Sequence, residues 1–194
     1  WGGTPLVRPL HEIRQQLFDG AGNCKYYIPM IKPVEFEPVE LPMDPYLLGV
    51  LIGDGGMSKQ TVILSTADAE ILQSVKQLVP NGIEVRKISG KYDYRLAMTG
   101  LRHLTSPLQN SLRQLGLMGC RSADKFIPDI YRYSSVQSRT RLLQGLLDTD
   151  GSISKDNVIE ISSASERLTL DIREIVESLG GIARMKSRVT WYTY

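Results

Sequence analysis

Two aspartates, Asp54 and Asp150, each followed by glycine, close two copies of one stretch of chain: LLGVLIGDGGMSKQTVI from Leu47 and LQGLLDTDGSISKDNVI from Leu143. The copies lie 96 residues apart, with Gly49 on Gly145, Asp54 on Asp150, Gly55 on Gly151, and Val62 and Ile63 on Val158 and Ile159. Each aspartate ends a helix-like apolar run, where the negative end of the macrodipole disfavours a carboxylate by about 0.3–1 kcal/mol. The glycine behind it fits a left-handed helix cap. A helix end with the wrong charge calls for a positive partner, and a divalent cation is the simplest. Gly49 and Gly53, and likewise Gly145 and Thr149, are four apart, a spacing of small residues that lets two helix backbones approach closely. Packed on each other, the two helices would bring Asp54 and Asp150 together, and carboxylates that close repel unless they share metal. The plain structural alternative is that both aspartates cap loops and the glycines are merely tolerated.

The elements that must hold these residues repeat as well. Residues 65–67 (SerThrAla) answer 162–164 (SerSerAla), and Gly82-Ile83 answers Gly181-Ile182. Two copies at a period near a hundred residues predict a pseudo-two-fold protein and not a solenoid of short repeats. Each copy reads as a helix ending in Asp-Gly, a strand rich in β-branched residues, a second helix and a basic strand. The second helices carry apolar stripes at Ile71, Leu72, Val75, Leu78 and Val79, and at Leu168, Ile172, Ile175, Val176 and Leu179. Copy one continues through a turn into a strand over residues 92–99 and a helix from about Leu101 to Leu115. In copy two, Tyr194 answers Arg95, and the counterparts of residues 96–129 are missing, so the second sheet is expected to keep an unpaired edge. We divide the chain into a linking segment (1–43) whose prolines at 29, 33, 38 and 42 favour extended backbone, a first repeat (44–134) and a second, incomplete repeat (135–194). The chain opens with Trp1, which suggests a piece of something longer.

Composition narrows the class without naming a substrate. With 194 residues, 42% apolar and 23% charged, the chain supports one sizeable core or two small ones. No run approaches the roughly 18 apolar residues of a spanning helix and no signal peptide opens the chain, so neither a membrane partner nor secretion is expected. Cys24 and Cys120 lack zinc spacing and read as free thiols of a cytoplasmic protein, nucleoid-associated if bacterial. The net charge of +2 leaves nucleic acid open, so clustering of the basic residues decides.

These residues resemble the LAGLIDADG homing endonucleases, most closely the two-motif, dodecapeptide (DOD) form embedded in inteins. The resemblance covers residues 41–194: LLGVLIGDG from Leu47 and LQGLLDTDG from Leu143 align on the nine-letter motif, with Ile52 replacing its first acid and Asp54 and Asp150 keeping the second. It implies an α+β fold, a pseudo-two-fold tandem αββαββα arrangement with two antiparallel saddle sheets in the DNA major groove and the motif helices at the centre, Gly49, Gly53, Gly145 and Thr149 lying at their interface. It implies site-specific, metal-dependent double-strand cleavage at an intein insertion site. Asp54 and Asp150 would be catalytic, with magnesium or another divalent metal held at Asp54, Asp150, Gly53 and Thr149. The run LysPheIlePro before the second motif matches the family's Lys-x-Ile-Pro and places its catalytic lysine on Lys125, which would steady the transition state or tune the attacking water.

DNA contacts are expected from Lys59, Arg86, Lys87, Lys91 and Arg95 in copy one and Lys155, Arg184, Lys186 and Arg188 in copy two, with Tyr92, Tyr94, Trp191 and Tyr192 interleaved. Arginines suit guanine edges and lysines suit phosphates. The implied partners are double-stranded DNA with a long asymmetric site, bound by a monomer, and a larger intein-containing host protein of which the domain is covalently part. Splicing itself needs a nucleophile at the first residue and a terminal His-Asn, which Trp1 and Tyr194 do not supply, and His11 and His103 read as structural or exposed. The alternative is a catalytically inactive DNA-binding remnant, or a maturase- or regulator-like binding module of the same fold.

Overall fold

The structure is a computed structural model that describes residues 6–57, 61–100 and 106–189. It is a mixed α+β chain with antiparallel sheets, in two compact units that divide after Lys32. In the first, helix α1 (Leu10–Gln15) buries none of its residues. A turn follows in which the Asp19 carboxylate accepts from the amides of Ala21 and Asn23, each at 2.9 Å, under a bridge between Phe18 and Cys24.

The second unit is built around two helices. Helix α2 (Pro45–Asp54) begins at Asp44, whose carboxylate accepts from the amides of Tyr46 and Leu47, with Pro45 in the first turn where its missing N–H is no loss. All residues from Tyr46 to Ile52 are buried, so α2 is wrapped on every side. Helix α6 (Val136–Asp150) is capped by the Ser135 hydroxyl and packs along α2. A Cβ on Gly49 would collide with the Leu142 carbonyl and lie 3.1 Å from the Gly145 Cα; one on Gly145 would collide with the Tyr46 carbonyl. The backbones therefore touch where the sequence has no side chains.

Each helix runs straight into a strand. Gly55 and Gly151 have φ −82° and are extended, which corrects the expected left-handed caps. Glycine is needed there for a different reason: a Cβ would strike the carbonyls of Leu51 and Leu147 in the preceding turn. The first sheet has the order β1 (Gly55–Gly56), β2 (Val62–Ser65), β4 (Asp93–Met98), β3 (Ile83–Lys87), all antiparallel. Helix α3 (Ala69–Leu78), capped by Asp68, lies between β2 and β3 in sequence and buries Ile71 and Val75. Helix α4 (Pro107–Gln114) starts later than the expected Leu101: Ser106, with extended backbone, caps it by accepting from the Gln109 amide, and Pro107 opens the first turn; residues 101–105 lie outside the described set.

Among the described residues the second sheet pairs β5 (Gly151–Ile153) with β6 (Ile159–Ile161) alone, followed by helix α7 (Glu166–Ser178), capped by Ser165 and burying Leu168, Ile172 and Ile175. Its ladder sets Gly151 opposite Ile161, as Gly55 is set opposite Leu64. Ile159 thus stands where Val62 does, one place later than the 96-residue alignment has it. Val62, flanked by β1 and β4, is fully buried, whereas Ile159 is 64% exposed. The basic strand expected after Gly181 does not form: residues 181–189 carry no regular structure. A strand persists by exchanging backbone hydrogen bonds with a neighbour, and among the described residues nothing plays for it the part that β4 plays for β3. A short helix α5 (Asp129–Arg132) precedes α6. Among the described residues no helix is long and apolar enough to cross a membrane.

Candidate functional site

Because α2 and α6 touch along their length, their C-terminal ends meet. A Cβ on Gly53 would collide with the Thr149 hydroxyl and lie 3.3 Å from the Asp150 Oδ2, so the second aspartate reaches the end of the first helix. Both carboxyls are half-buried. Burial, then the neighbouring Asp150 carboxylate, raises the Asp54 carboxyl above its ordinary range, with Lys125 opposing. Burial likewise raises Asp150, again with Lys125 opposing.

Lys125, 6% exposed, completes the cluster. Its ammonium donates to the Gly53 carbonyl at 2.8 Å. Burial lowers its pKa, and the charges of Asp150 and Asp54 pull the other way. Two acids disfavoured as anions and one amine disfavoured as a cation, gathered at two helix ends, mark this cluster as a candidate functional site. Among the described residues no three His, Cys, Asp or Glu side chains gather, so any cation here would rest on two carboxylates and on neutral oxygens. That all-oxygen donor set suits a hard divalent ion. Gly53 offers a carbonyl that Lys125 already uses. The Thr149 hydroxyl donates back to its own helix, to Gly145 and Leu146 at 3.0 Å, and acts as packing against Gly53.

The basic residues expected to meet DNA divide by strand alternation. Arg86 and Arg95 face each other across β3 and β4, both exposed, on the face opposite buried Ile83 and Leu96. Arg86 pairs with Glu84 at 2.7 Å. Lys87, one residue on, falls on the other face, where it stacks 4.4 Å above the Tyr94 ring and donates to the Lys91 carbonyl. Lys91 lies over Tyr92 at 4.9 Å in the β3–β4 turn. Lys155 is exposed in the turn between β5 and β6, and Arg184, Lys186 and Arg188 are exposed on the irregular stretch 181–189. Lys59, His103, Trp191 and Tyr192 lie outside the described residues.

Sequence reasoning missed the supports beneath the site. Tyr131, fully buried, donates its hydroxyl to the Met43 carbonyl at 2.9 Å and accepts from the Met43 amide at 3.1 Å, fixing the entry to α2. Arg139, fully buried in α6, donates to the Ser134 carbonyl at 3.0 Å, to the Ser178 hydroxyl and to the Val34 carbonyl, and lies 4.9 Å from the Phe36 ring. It anchors the strap that leads into α2 against α6 and α7. Asp171 sits inside the apolar stripe of α7, at 4% exposure. An acid or arginine interrupting a core stripe was the available signal for both.

Residues 138–193, from within α6 onward, match the family model of the LAGLIDADG-like domain. Over longer stretches the chain is similar to much larger proteins. It is 29% identical over 141 residues to the replicative DNA helicase DnaB of Mycobacterium intracellulare, covering 73% of this chain and 20% of the relative. It is 30% identical over 165 residues to a DNA gyrase subunit of Mycobacterium leprae (strain TN), covering 79% and 13%. It is 27% identical over 155 residues to the helicase DnaB of a Nostoc species, covering 72% and 18%. The chain spans a fifth or less of these relatives' length.

Proposed function

We propose that this chain is the endonuclease domain of an intein: a site-specific, divalent-metal-dependent enzyme that hydrolyses both strands of DNA at the insertion site. The observation that carries this reading is the meeting of Asp54 and Asp150, one from each sequence repeat, with the Lys125 ammonium on the Gly53 carbonyl and within the electrostatic reach of both. Two equivalent carboxylates at converging helix ends are what two symmetry-related phosphodiesters would require. The relatives support the intein context. A helicase and a gyrase are unrelated in activity, yet each contains a minor segment like this chain, as an inserted element would produce. The fold that goes with the reading is the pseudo-two-fold tandem arrangement, with its axis between α2 and α6.

In this mechanism Asp54 and Asp150 would hold magnesium, or another divalent ion, whose charge would favour their ionised forms despite burial. When bound, the ion supplies Lewis acidity to the phosphate and an acidified water. Lys125, fixed on the Gly53 carbonyl, presents positive charge where the phosphate gains negative charge, which is worth most in a buried site. Arg86 and Arg95, side by side on an exposed sheet face, suit base edges or phosphates of the duplex.

The test selects bound duplexes from a randomised library with the full chain and assays their cleavage with and without magnesium. Asp54→Asn and Asp150→Asn should abolish paired strand cutting while binding changes by less than about tenfold, since phosphate contacts supply most affinity. Undiminished cleavage by either variant refutes the site. The two-stranded second sheet and the irregular 181–189 segment favour one competing outcome, binding without cleavage, and the same assay decides it.

A further inference from the structure

The segment that carries Lys125 belongs to the chain before the second repeat, yet it is held by the second repeat. Three consecutive residues are each gripped by a different side chain of α7 or its cap. The Ser165 hydroxyl donates to the Lys125 carbonyl at 2.6 Å. The Arg167 guanidinium lies over the Phe126 ring at 3.9 Å. The Asp171 Oδ2 accepts from the Ile127 amide at 2.8 Å, and its Oδ1 accepts from Arg132 at 2.9 Å. Ser165 and Asp171 are 1% and 4% exposed, so neither bond is shared with bulk water.

The geometry points to Ser165, Arg167 and Asp171 as positioning residues that aim the Lys125 ammonium at the Gly53 carbonyl, next to Asp54 in the chain and near Asp150. This deepens the nuclease reading above and rests on it. Lysine is a flexible four-carbon stem with a compact charge, and its own single hydrogen bond does not orient it. Fastening the carbonyl of residue 125 and the amide of residue 127 fixes both peptide planes that flank Phe126, so the direction in which the lysine leaves the backbone is set from outside. The grip depends on the side-chain types present. Ninety-seven positions earlier, α3 and its cap carry Asp68, Glu70 and Ser74 in place of Ser165, Arg167 and Asp171. A carboxylate cannot donate to a carbonyl, and an acid does not stack on a ring as a cation does. Those three residues line an open cleft of about 550 Å³ with Tyr46, Arg141 and Asp148. Of these two helices, α7 has the chemistry to hold the lysine-bearing loop.

The inference is tested on the full chain labelled with ¹⁵N. An ammonium held on a carbonyl exchanges its protons slowly enough to give an Nζ resonance, assigned to Lys125 by its loss in Lys125→Met. Ser165→Ala and Asp171→Ala are expected to lose this resonance, and Ser165→Thr, which keeps the hydroxyl, to retain it. On a duplex selected as above, the first two should lower kcat by about ten- to hundredfold, the effect of displacing a catalytic group by about 1 Å, with KM little changed. Ser165 also caps α7, so each variant is first shown to melt cooperatively, and the exposed Arg167→Gln serves as the variant that spares cap and core. A folded Asp171→Ala or Arg167→Gln that keeps both the resonance and wild-type kcat overturns the inference. If Lys125→Met itself cleaves like the wild type, the role of the lysine in cleavage falls, while the resonance still decides whether α7 holds it.

Discussion

Replacing Gly145 with alanine should destabilise this protein, although the same change in an ordinary helix would stabilise it. Alanine in place of a helix-interior glycine gains about 1 kcal/mol. Here the new methyl would collide with the Tyr46 carbonyl and lie 2.9 Å from the Val50 amide nitrogen. Both are backbone atoms of a buried helix and cannot swing aside as a side chain would. Relief requires α2 and α6 to separate, and overpacking of this kind costs about 1–3 kcal/mol. The middle of that range less the propensity gain leaves a net loss of about 1 kcal/mol, and at about 2–4 °C per kcal/mol for a domain of this size a Tm lowered by about 2–4 °C. Thermal unfolding followed by circular dichroism measures it, with Gly56→Ala as control, since a Cβ there meets only Ile63 at an ordinary 3.7 Å. A Gly145→Ala protein melting at or above the wild-type temperature would show that the backbones do not touch, and the argument that brings Asp54 to Asp150 would fall with it.

Three further outcomes are expected. In the presence of chelator, stability should fall as pH rises from the ordinary carboxylate pKa upward through the raised values of Asp54 and Asp150, because in that window the folded state binds more protons than the unfolded. Denaturant melts should show the slope flattened by Asp54→Asn, and an unaltered slope would remove the coupling. Adding magnesium to the wild type should raise Tm in a dose-dependent way at neutral pH and leave the Asp54→Asn, Asp150→Asn double variant unmoved, as differential scanning fluorimetry can read. Arg139→Ala should cost about 3 kcal/mol in denaturant unfolding, since it strands the buried carbonyl of Ser134, releases the Val34 carbonyl of the strap and leaves a cavity. A loss under about 1 kcal/mol would mean that water replaces the guanidinium at no penalty.

Periodicity made the helices readable. Ile71 and Val75, and Leu168, Ile172 and Ile175, are buried as their spacing demands, because helix burial repeats every three to four residues and survives small errors of phase. Strand register did not survive them. Period-two patterns lose their meaning on a slip of one, and the turn through Asn157, at φ 57°, adds one residue relative to the first copy, so Ile159 replaced Val158 as the partner of Val62. Lys87 was grouped with Arg86 because composition ignores alternation. The small residues at 49, 53, 145 and 149 announced a close helix approach, but the conformation at Gly55 and Gly151 depended on the strands that follow, which no local rule sees. The supports at Arg139, Ser165 and Asp171 join positions far apart in the chain, and their partners are largely backbone atoms, which carry no sequence letter.

The bare contact between α2 and α6 makes the pair of helices a gauge. With no side chains in the seam around Gly49 and Gly145, the gap between Asp54 and Asp150 is metered by peptide geometry, which does not change when rotamers repack or when core residues drift. Strands β1 and β5 run on from the very helix ends that carry these carboxylates, whereas the exposed faces of the sheets take no part in the seam. On the nuclease reading proposed above, target choice and cutting distance would then be separable properties, the first open to change on exposed strand faces, the second set by two glycines at which any larger residue forces the helices apart.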